Sequence, residues 1–317
     1  MAQNESRGTS TGPGEPVEQG GGGWSFVVLP DTQYYVAGHP EIFEAQARWI
    51  AERAEALGIR FVLHEGDVTD DNSRAQWALA RRAMARLDGR VPYVLVPGNH
   101  DYGEGGTGDT RACGLSDAFW DAGIEARPSF GGSFEPGRLE NTFHVFGSDP
   151  EDAWLVLALE LAPRDAVVDW ANGVLAEHAT MPALVLTHAY LYADGTRYDG
   201  ENRPDQRWSA RTYGFAEADS ANEGEALWQK LVRPHPNVRL VLCGHVPQEG
   251  ARRTSERPDG TFVHEVLANY QQLPSGGEGF LRIVRVEPTE GQLHVSTYSP
   301  WLDEEKRDDA NRFTLPL

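Results

Sequence analysis

Strands that stop on metal-binding side chains constrain this chain more than any other feature. Five apolar runs end this way. WSFVVLP (24–30) leads into Asp31-Thr32-Gln33, and RFVLHEGD (60–67) ends in Gly66-Asp67. PYVLVPGNHD (92–101) ends in Gly98-Asn99-His100-Asp101, PALVLTH (182–188) in His188, and VRLVLCGH (238–245) in Gly244-His245. These runs are apolar at successive positions, which suits strands buried on both faces and so a sheet with parallel pairing. Between them lie helical patterns. In 41–57, Ile42, Trp49, Ile50, Ala54 and Leu57 share a face before Gly58, and in 74–87 Trp77, Ala80, Met84 and Leu87 recur at steps of three and four. The fold class is α/β. In such sheets ligands bind beyond the carboxyl ends of the strands, so the five polar ends should converge.

Taken one at a time, these residues have ordinary explanations. An Asp after a strand forms turns, Asp70, Asp71 and Asn72 suit a helix cap, and a single buried His is satisfied by its core. Five such ends at one edge call for a cation. Asp67 offers two oxygens and is the candidate bridge between two ions, Asn99 offers an amide oxygen, and His188 and His245 offer imidazoles. Asp31 and Gln33 border the same edge. His100 is placed to give a proton to a leaving oxygen, with Asp101 expected to orient its ring. Glycines before Asp67, Asn99 and His245 let the backbone turn sharply beside the ion.

The order Asp31, Gly66-Asp67, Gly98-Asn99-His100-Asp101, His188, Gly244-His245 resembles that of the calcineurin-like metallophosphoesterases, over residues 25 to about 250. The resemblance implies a four-layer α/β/β/α sandwich with two mixed β-sheets, hydrolysis of phosphoesters at a dinuclear centre, and His100 as the proton-donating histidine. PDTQYY (30–35), LTHAYLYADGTRYDG (186–200) and TYSPW (297–301) look like a bacterial subgroup with glutamine in its first motif. Two positions depart from the family at large. Its first motif is usually Asp-x-His, and here it is Asp31-Thr32-Gln33; its last is Gly-His-x-His, and here Pro247 stands at the second histidine. One metal position therefore loses both imidazoles. It keeps Asp31, the shared Asp67 and the Gln33 amide oxygen, with Gln248 as a further candidate. One or two divalent ions are implied, Fe, Mn or Zn, with Mn or Mg expected in the depleted position. The other reading is that waters complete an ordinary dinuclear site.

The net charge of −20 repels polyanions, so no broad nucleic-acid surface is expected. Two cysteines imply no disulfide framework, and no apolar run reaches transmembrane length. The first 23 residues lack the basic and apolar regions of a signal peptide and read as a disordered, Gly-rich polar tail, with one domain over 24–317 and a cytoplasmic location by default. Strand patterns in 261–271, 279–288 and 292–300 suit an antiparallel or second sheet. Two long stretches without a clear element, 102–142 and 189–221, are expected to border the site. Tyr34, Tyr35, Tyr190 and Arg197 are the candidate substrate contacts. The expected substrate is a small soluble phosphate ester, monoester or diester. Two rivals remain, a non-hydrolytic metalloenzyme on the same scaffold and a silent anion-binding relative.

Overall fold

The structure, a computed structural model, describes residues 23–147, 152–218 and 220–317. Of the tail expected over 1–23, all but Gly23 lies outside the described residues. In chain order the strands are β1 (Trp24–Leu29), β2 (Ile59–His64), β3 (Tyr93–Leu95), β4 (Phe130–Ser133), β5 (Thr142–Phe146), β6 (Trp154–Ala158) and β7 (Ala183–Leu186). They continue with β8 (Val238–Cys243), β9 (Ala251–Glu256), β10 (Phe262–Leu267), β11 (Leu281–Glu287), β12 (Gln292–Ser299), β13 (Glu304–Lys306) and β14 (Phe313–Pro316). The helices that matter here are α1 (Gln33–Gly38), α2 (Pro40–Arg53), α3 (Arg74–Met84), α4 (Leu115–Phe119) and α5 (Asp165–Glu177).

The first sheet runs β13-β12-β11-β1-β2-β3, with β14 paired to β12; the second runs β4-β5-β6-β7-β8-β10-β9. Both are mixed. β1, β2 and β3 pair in parallel while β1 and β11 are antiparallel. β6, β7, β8 and β10 are parallel, with antiparallel β5 and β9 beside them. The two sheets face each other. The C-terminal strands thus divide between them: β10 enters the second sheet parallel to β8, and β11 to β14 extend the first sheet from the flank of β1.

The continuous apolar runs are explained by burial on both faces. Phe26 and Val28 of β1 point into the inter-sheet core with Phe61, Leu63, Val94, Val156, Leu184 and Leu242. Val27 and Leu29 point the other way, into a core shared with Ile42, Ile50, Trp77 and Met84 of α2 and α3. On the second sheet, Leu155, Val185 and Val241 share that outward role with Val168, Ala171 and Leu175 of α5. Among the described residues, no helix is long and apolar enough to cross a membrane.

At the middle of the sandwich, Phe61 stacks on Phe26 at 5.0 Å and on Phe146 of the opposite sheet at 4.3 Å. Its side chain is fully buried. Phe61→Ala is expected to cost about 3–5 kcal/mol of stability, read as a fall in the urea midpoint with the slope unchanged; a loss below about 1 kcal/mol would mean the sheets repack around the gap.

Candidate metal centre

The carboxyl ends of β1, β2, β3, β7 and β8 do converge. His188, after β7, is fully buried, and its Nδ1 lies 2.8 Å from the Glu65 carbonyl oxygen. A carbonyl only accepts, so Nδ1 holds its proton on Glu65 and Nε2 is the nitrogen that can offer a lone pair once its own proton is displaced. The same logic fixes His245, whose Nε2 lies 2.8 Å from the Trp208 carbonyl. Its Nδ1 is therefore the free acceptor, 3.2 Å from His188 Nε2. His188 Nε2 is also 3.2 Å from Asn99 Oδ1 and 3.3 Å from Asp67 Oδ1. Four electron-rich atoms thus surround one point, and Asp67, His188 and His245 meet the geometry of a metal-binding group. Ligands about 2.0–2.2 Å from an ion sit about 3.0–3.5 Å from each other, which is the spacing of His188 Nε2 from each of the other three atoms.

Backbone shape delivers these atoms. Asp67 (φ 48°) and His245 (φ 73°) are both held in the left-handed region, which costs a non-glycine residue energy. The glycines beside them leave room. A Cβ on Gly98 would lie 2.1 Å from Asp67 Oδ1, and one on Gly244 would lie 2.2 Å from Asp31 Oδ2. Behind the ligands, His64 Nε2 and Thr32 Oγ1 are 2.9 Å apart, Thr32 donates to the Val68 carbonyl, and Gly66 N donates to His64 Nδ1. Burial, then the charge on His188, pushes the His64 imidazole down to about 3, so it serves as a neutral strut.

A family model described as calcineurin-like phosphoesterase matches residues 25–249. The chain belongs to that family. Its members are phosphoric ester hydrolases, and the two mixed sheets are the family's fold. YvnB of Bacillus subtilis (strain 168), an uncharacterized protein, is 32% identical over 302 residues, covering 92% of this chain. The chain spans only 21% of the length of YvnB. Among solved structures, the yellow lupin (Lupinus luteus) purple acid phosphatase PPD1 superposes with a TM-score of 0.52 at 16% identity, over 95% of this chain and 55% of that one. That likeness concerns the fold. NAD nucleotidase (NadN) of Haemophilus influenzae gives a TM-score of 0.44 at 11% identity, over 93% of this chain and 50% of that one.

Around this centre the structure redistributes several expected roles. Asp101 does not orient His100. Its carboxylate accepts from Val68 N (3.0 Å), Thr69 N (2.8 Å), Thr69 Oγ1 (2.7 Å) and Gly98 N (2.9 Å), which locks the loop after β2 to the loop after β3. The group on the His100 ring is Asp70: His100 Nδ1 lies 2.9 Å from the Asp70 carbonyl and 3.4 Å from its Oδ1. The sequence DVTDDNS held that signal, since Asp70 follows Asp67 by three residues. Burial lowers the His100 pKa, yet Asp67, the Asp70 carbonyl and the Asp70 carboxylate outweigh it and leave the pKa above its ordinary value.

Three of the four candidate substrate contacts lie in the interior. Tyr35 is buried, with its hydroxyl accepting from Gly279 N at 2.9 Å. Tyr190 is fully buried beside Glu265 and Arg197. Arg197 donates twice to Glu265 (2.9 and 2.7 Å), once to Glu225 (3.0 Å), and lies 3.9 Å over the Trp228 ring. It pins the 189–221 loop to β10, so its guanidinium is committed. Gln248 turns away too, donating to the Ala193 carbonyl. Tyr34 is the exception: it is 39% exposed, and burial together with Asp70, Asp67 and Asp31 pushes its phenol up. Tyr213, packed on Gly108 and stacked at 5.7 Å on Phe215, also feels Asp67.

Sequence reasoning missed one strand end. β10 is followed by Ala268-Asn269-Tyr270-Gln271, and Gln271 Oε1 accepts from Gln33 Nε2. The rule used for the other five runs, polar residues directly after a parallel strand, would have found it.

Two outcomes check this centre. Burial of His188 works against a charge, but the adjacent Asp67 carboxylate more than reverses this and raises its pKa to about 9. A metal ion must displace that proton, so apparent affinity should rise about tenfold per pH unit from pH 6 and level off near pH 9, with about one proton released per ion by calorimetry in buffers of different ionisation heat. Affinity flat across that range would contradict the assignment. Asp101→Ala strands buried N–H groups and should lower both the melting temperature and metal affinity, whereas a role confined to His100 would leave metal affinity untouched.

Proposed function

We propose that this chain is a metal-dependent phosphoester hydrolase, a single catalytic domain over 24–317 acting on a small soluble phosphate ester. The observation that carries the reading is the cluster of Asp67 Oδ1, Asn99 Oδ1, His188 Nε2 and His245 Nδ1 around one point, with His100 beside it. The donor set of two imidazoles, an amide oxygen and a carboxylate fits a transition metal such as Zn²⁺, Fe²⁺ or Mn²⁺. When bound, the ion supplies Lewis acidity toward the phosphoryl oxygens and lowers the pKa of a water.

The chain's own residues do the rest. Asp67 also accepts from His100 N at 3.0 Å, so the carboxylate that holds the ion fixes the backbone of the proton donor. With Nδ1 committed to the Asp70 carbonyl, His100 presents Nε2 as its working atom. The carboxylates around the ring favour its protonated form, which suits donation to the leaving oxygen of the ester. The arginines Arg197, Arg203 and Arg211 of the 189–221 loop are paired with Glu265, Asp194 and Glu201 respectively. Of these only Arg197 is buried and committed; Arg207 of the same loop is exposed. The reading covers monoesters and diesters alike. A silent anion clamp would have no use for His100 held on Asp70.

The test is turnover of bis-p-nitrophenyl phosphate and p-nitrophenyl phosphate by metal-loaded protein. We expect hydrolysis of at least one of the two. His100→Ala should lower kcat by about 10²–10⁴-fold with metal content unchanged, and Asp70→Ala should lower it less because the backbone carbonyl remains. Absence of hydrolysis of either ester with any divalent ion would overturn the reading.

A further inference from the structure

The Asp70 carbonyl that meets His100 Nδ1 is itself held from behind and from the side. Behind it stands Gln76, whose Oε1 accepts from Asp70 N at 2.7 Å and from Asp71 N at 3.2 Å. One side-chain oxygen thus fixes the peptide on each side of Asp70. Gln76 lies in the first turn of α3, and its own N–H donates to the cap residue, Ser73 Oγ, at 3.3 Å. In a capping box the side chain at this place returns to the N–H of the cap residue. Here Ser73 N is already taken by Asp71 Oδ1 at 3.0 Å, and Gln76 reaches past it to the two residues that flank the His100 contact. From the side comes the 103–114 loop. Asn72, in the left-handed region at φ 53°, uses every hydrogen-bonding position of its amide to hold that loop. Its Nδ2 donates to the Gly103 and Ala112 carbonyls at 2.8 and 3.0 Å, and its Oδ1 accepts from Trp77 Nε1 and Gly114 N at 2.8 and 3.0 Å. The loop so held lays Gly106 (φ 68°) flat on the proton donor's surroundings. A Cβ there would lie 2.5 Å from the Asp70 carbonyl oxygen and 2.9 Å from that of His100.

We propose that Gln76 is a positioning residue for the proton donor: it aims the Asp70 carbonyl at His100 Nδ1, against the loop that Asn72 staples opposite, and so decides that His100 faces the substrate with Nε2. The inference rests on the reading of His100 as proton donor and adds the residue that aims it. A single hydrogen bond to a mobile carbonyl would let the imidazole tilt with its partner. A carbonyl whose neighbouring N–H groups share one acceptor cannot turn without breaking both bonds, so the ring keeps one orientation. Orientation matters because rate falls steeply when a reacting group is misplaced by an ångström. In the step concerned, a water oxygen forms the new bond to phosphorus and gives up its proton to solvent. The bond from phosphorus to the leaving oxygen breaks, and its electron pair takes the proton on His100 Nε2. A poor leaving group depends on that proton more than a good one does. Gln76 contacts neither a metal ligand nor the imidazole, so its whole effect on rate passes through Asp70 and His100.

The experiment uses the whole metal-loaded chain and two esters of one series, a p-nitrophenyl ester and the matching phenyl ester, whose leaving group is poorer. Gln76→Leu should lower kcat about tenfold on the first and further on the second, with KM and metal content unchanged. Gln76→Glu keeps an acceptor of the same reach and should bring kcat back to within about threefold of the unaltered chain. In the His100→Ala background Gln76→Leu should cost nothing more, because residues that act as a unit do not add. Should the leucine variant fail to fold, Asn72→Gly gives an independent arm: it removes the staple, glycine accepts the backbone angle freely, and the same pattern is expected. A loss of equal size with and without His100 would mark a merely structural role and overturn the proposal. So would a loss equal on both esters, or one that the glutamate variant fails to relieve. The underlying reading is checked separately. If His100→Ala keeps full kcat, the proton-donor role falls and this inference falls with it. If His100→Ala loses kcat while folded Gln76→Leu does not, this inference alone is overturned.

Discussion

His188 Nε2 lies 3.2–3.3 Å from three acceptors, Asn99 Oδ1, His245 Nδ1 and Asp67 Oδ1, so without a cation it must carry a proton to face them. That arrangement persists because the groups around it are themselves fixed. The Glu65 and Trp208 carbonyls hold one nitrogen of each histidine. Asp101 holds two loops at once, and six strands of two sheets hold the loops. In the absence of a metal the cluster settles its charge internally: Asp67 is kept well below the usual carboxylate range because His188 outweighs its burial, while burial drives Asp31 up to about 8. A buried pair of carboxylates thus shares one negative charge until a cation replaces the proton.

Strain is placed where this requires it. Left-handed backbone at Asp67 and His245, and side-chain-free neighbours at Gly98 and Gly244, together aim the ligands at angles a regular strand end does not offer. Such conformations persist only when the surroundings over-determine them. Here the surroundings are stacked aromatics between the sheets and apolar helices outside them, which is why the continuous apolar runs and the polar strand ends occur in the same segments.

That coupling made much of the molecule legible from its sequence. Period-one apolar runs meant double burial, and double burial with helices between meant parallel strands whose carboxyl ends share an edge. His188 and His245 followed from that edge alone. Roles that depend on side-chain direction were not legible. Asp101 adjoins His100 in sequence and Asp70 lies 30 residues before it, yet Asp101 binds four loop donors while Asp70 meets the ring. Arg197 looked like a phosphate ligand because arginine beside tyrosine suits one, yet Glu265 on β10 is 68 residues away and nothing local announces it. Tyr35 failed for a simpler reason. On the first turn of α1 its neighbour Tyr34 faces outward, so Tyr35 faces in.

The long 189–221 segment was read as a border to the site, and its contribution runs deeper than that. Trp208, itself in the left-handed region (φ 60°), gives its carbonyl to His245 Nε2 and so decides which nitrogen of a metal ligand carries the proton. The segment is anchored far from the metal, by Arg197 on Glu265 and by Glu223 accepting from Ser209 Oγ and Ala210 N. A change that loosened those anchors would not touch a ligand, yet it would free the His245 ring to turn and offer Nε2–H where Nδ1 should face the ion. With His245 as a ligand, as proposed, metal affinity would be set partly by ion pairs on the far side of a loop, because imidazole binds a metal only through the nitrogen its other neighbour leaves bare.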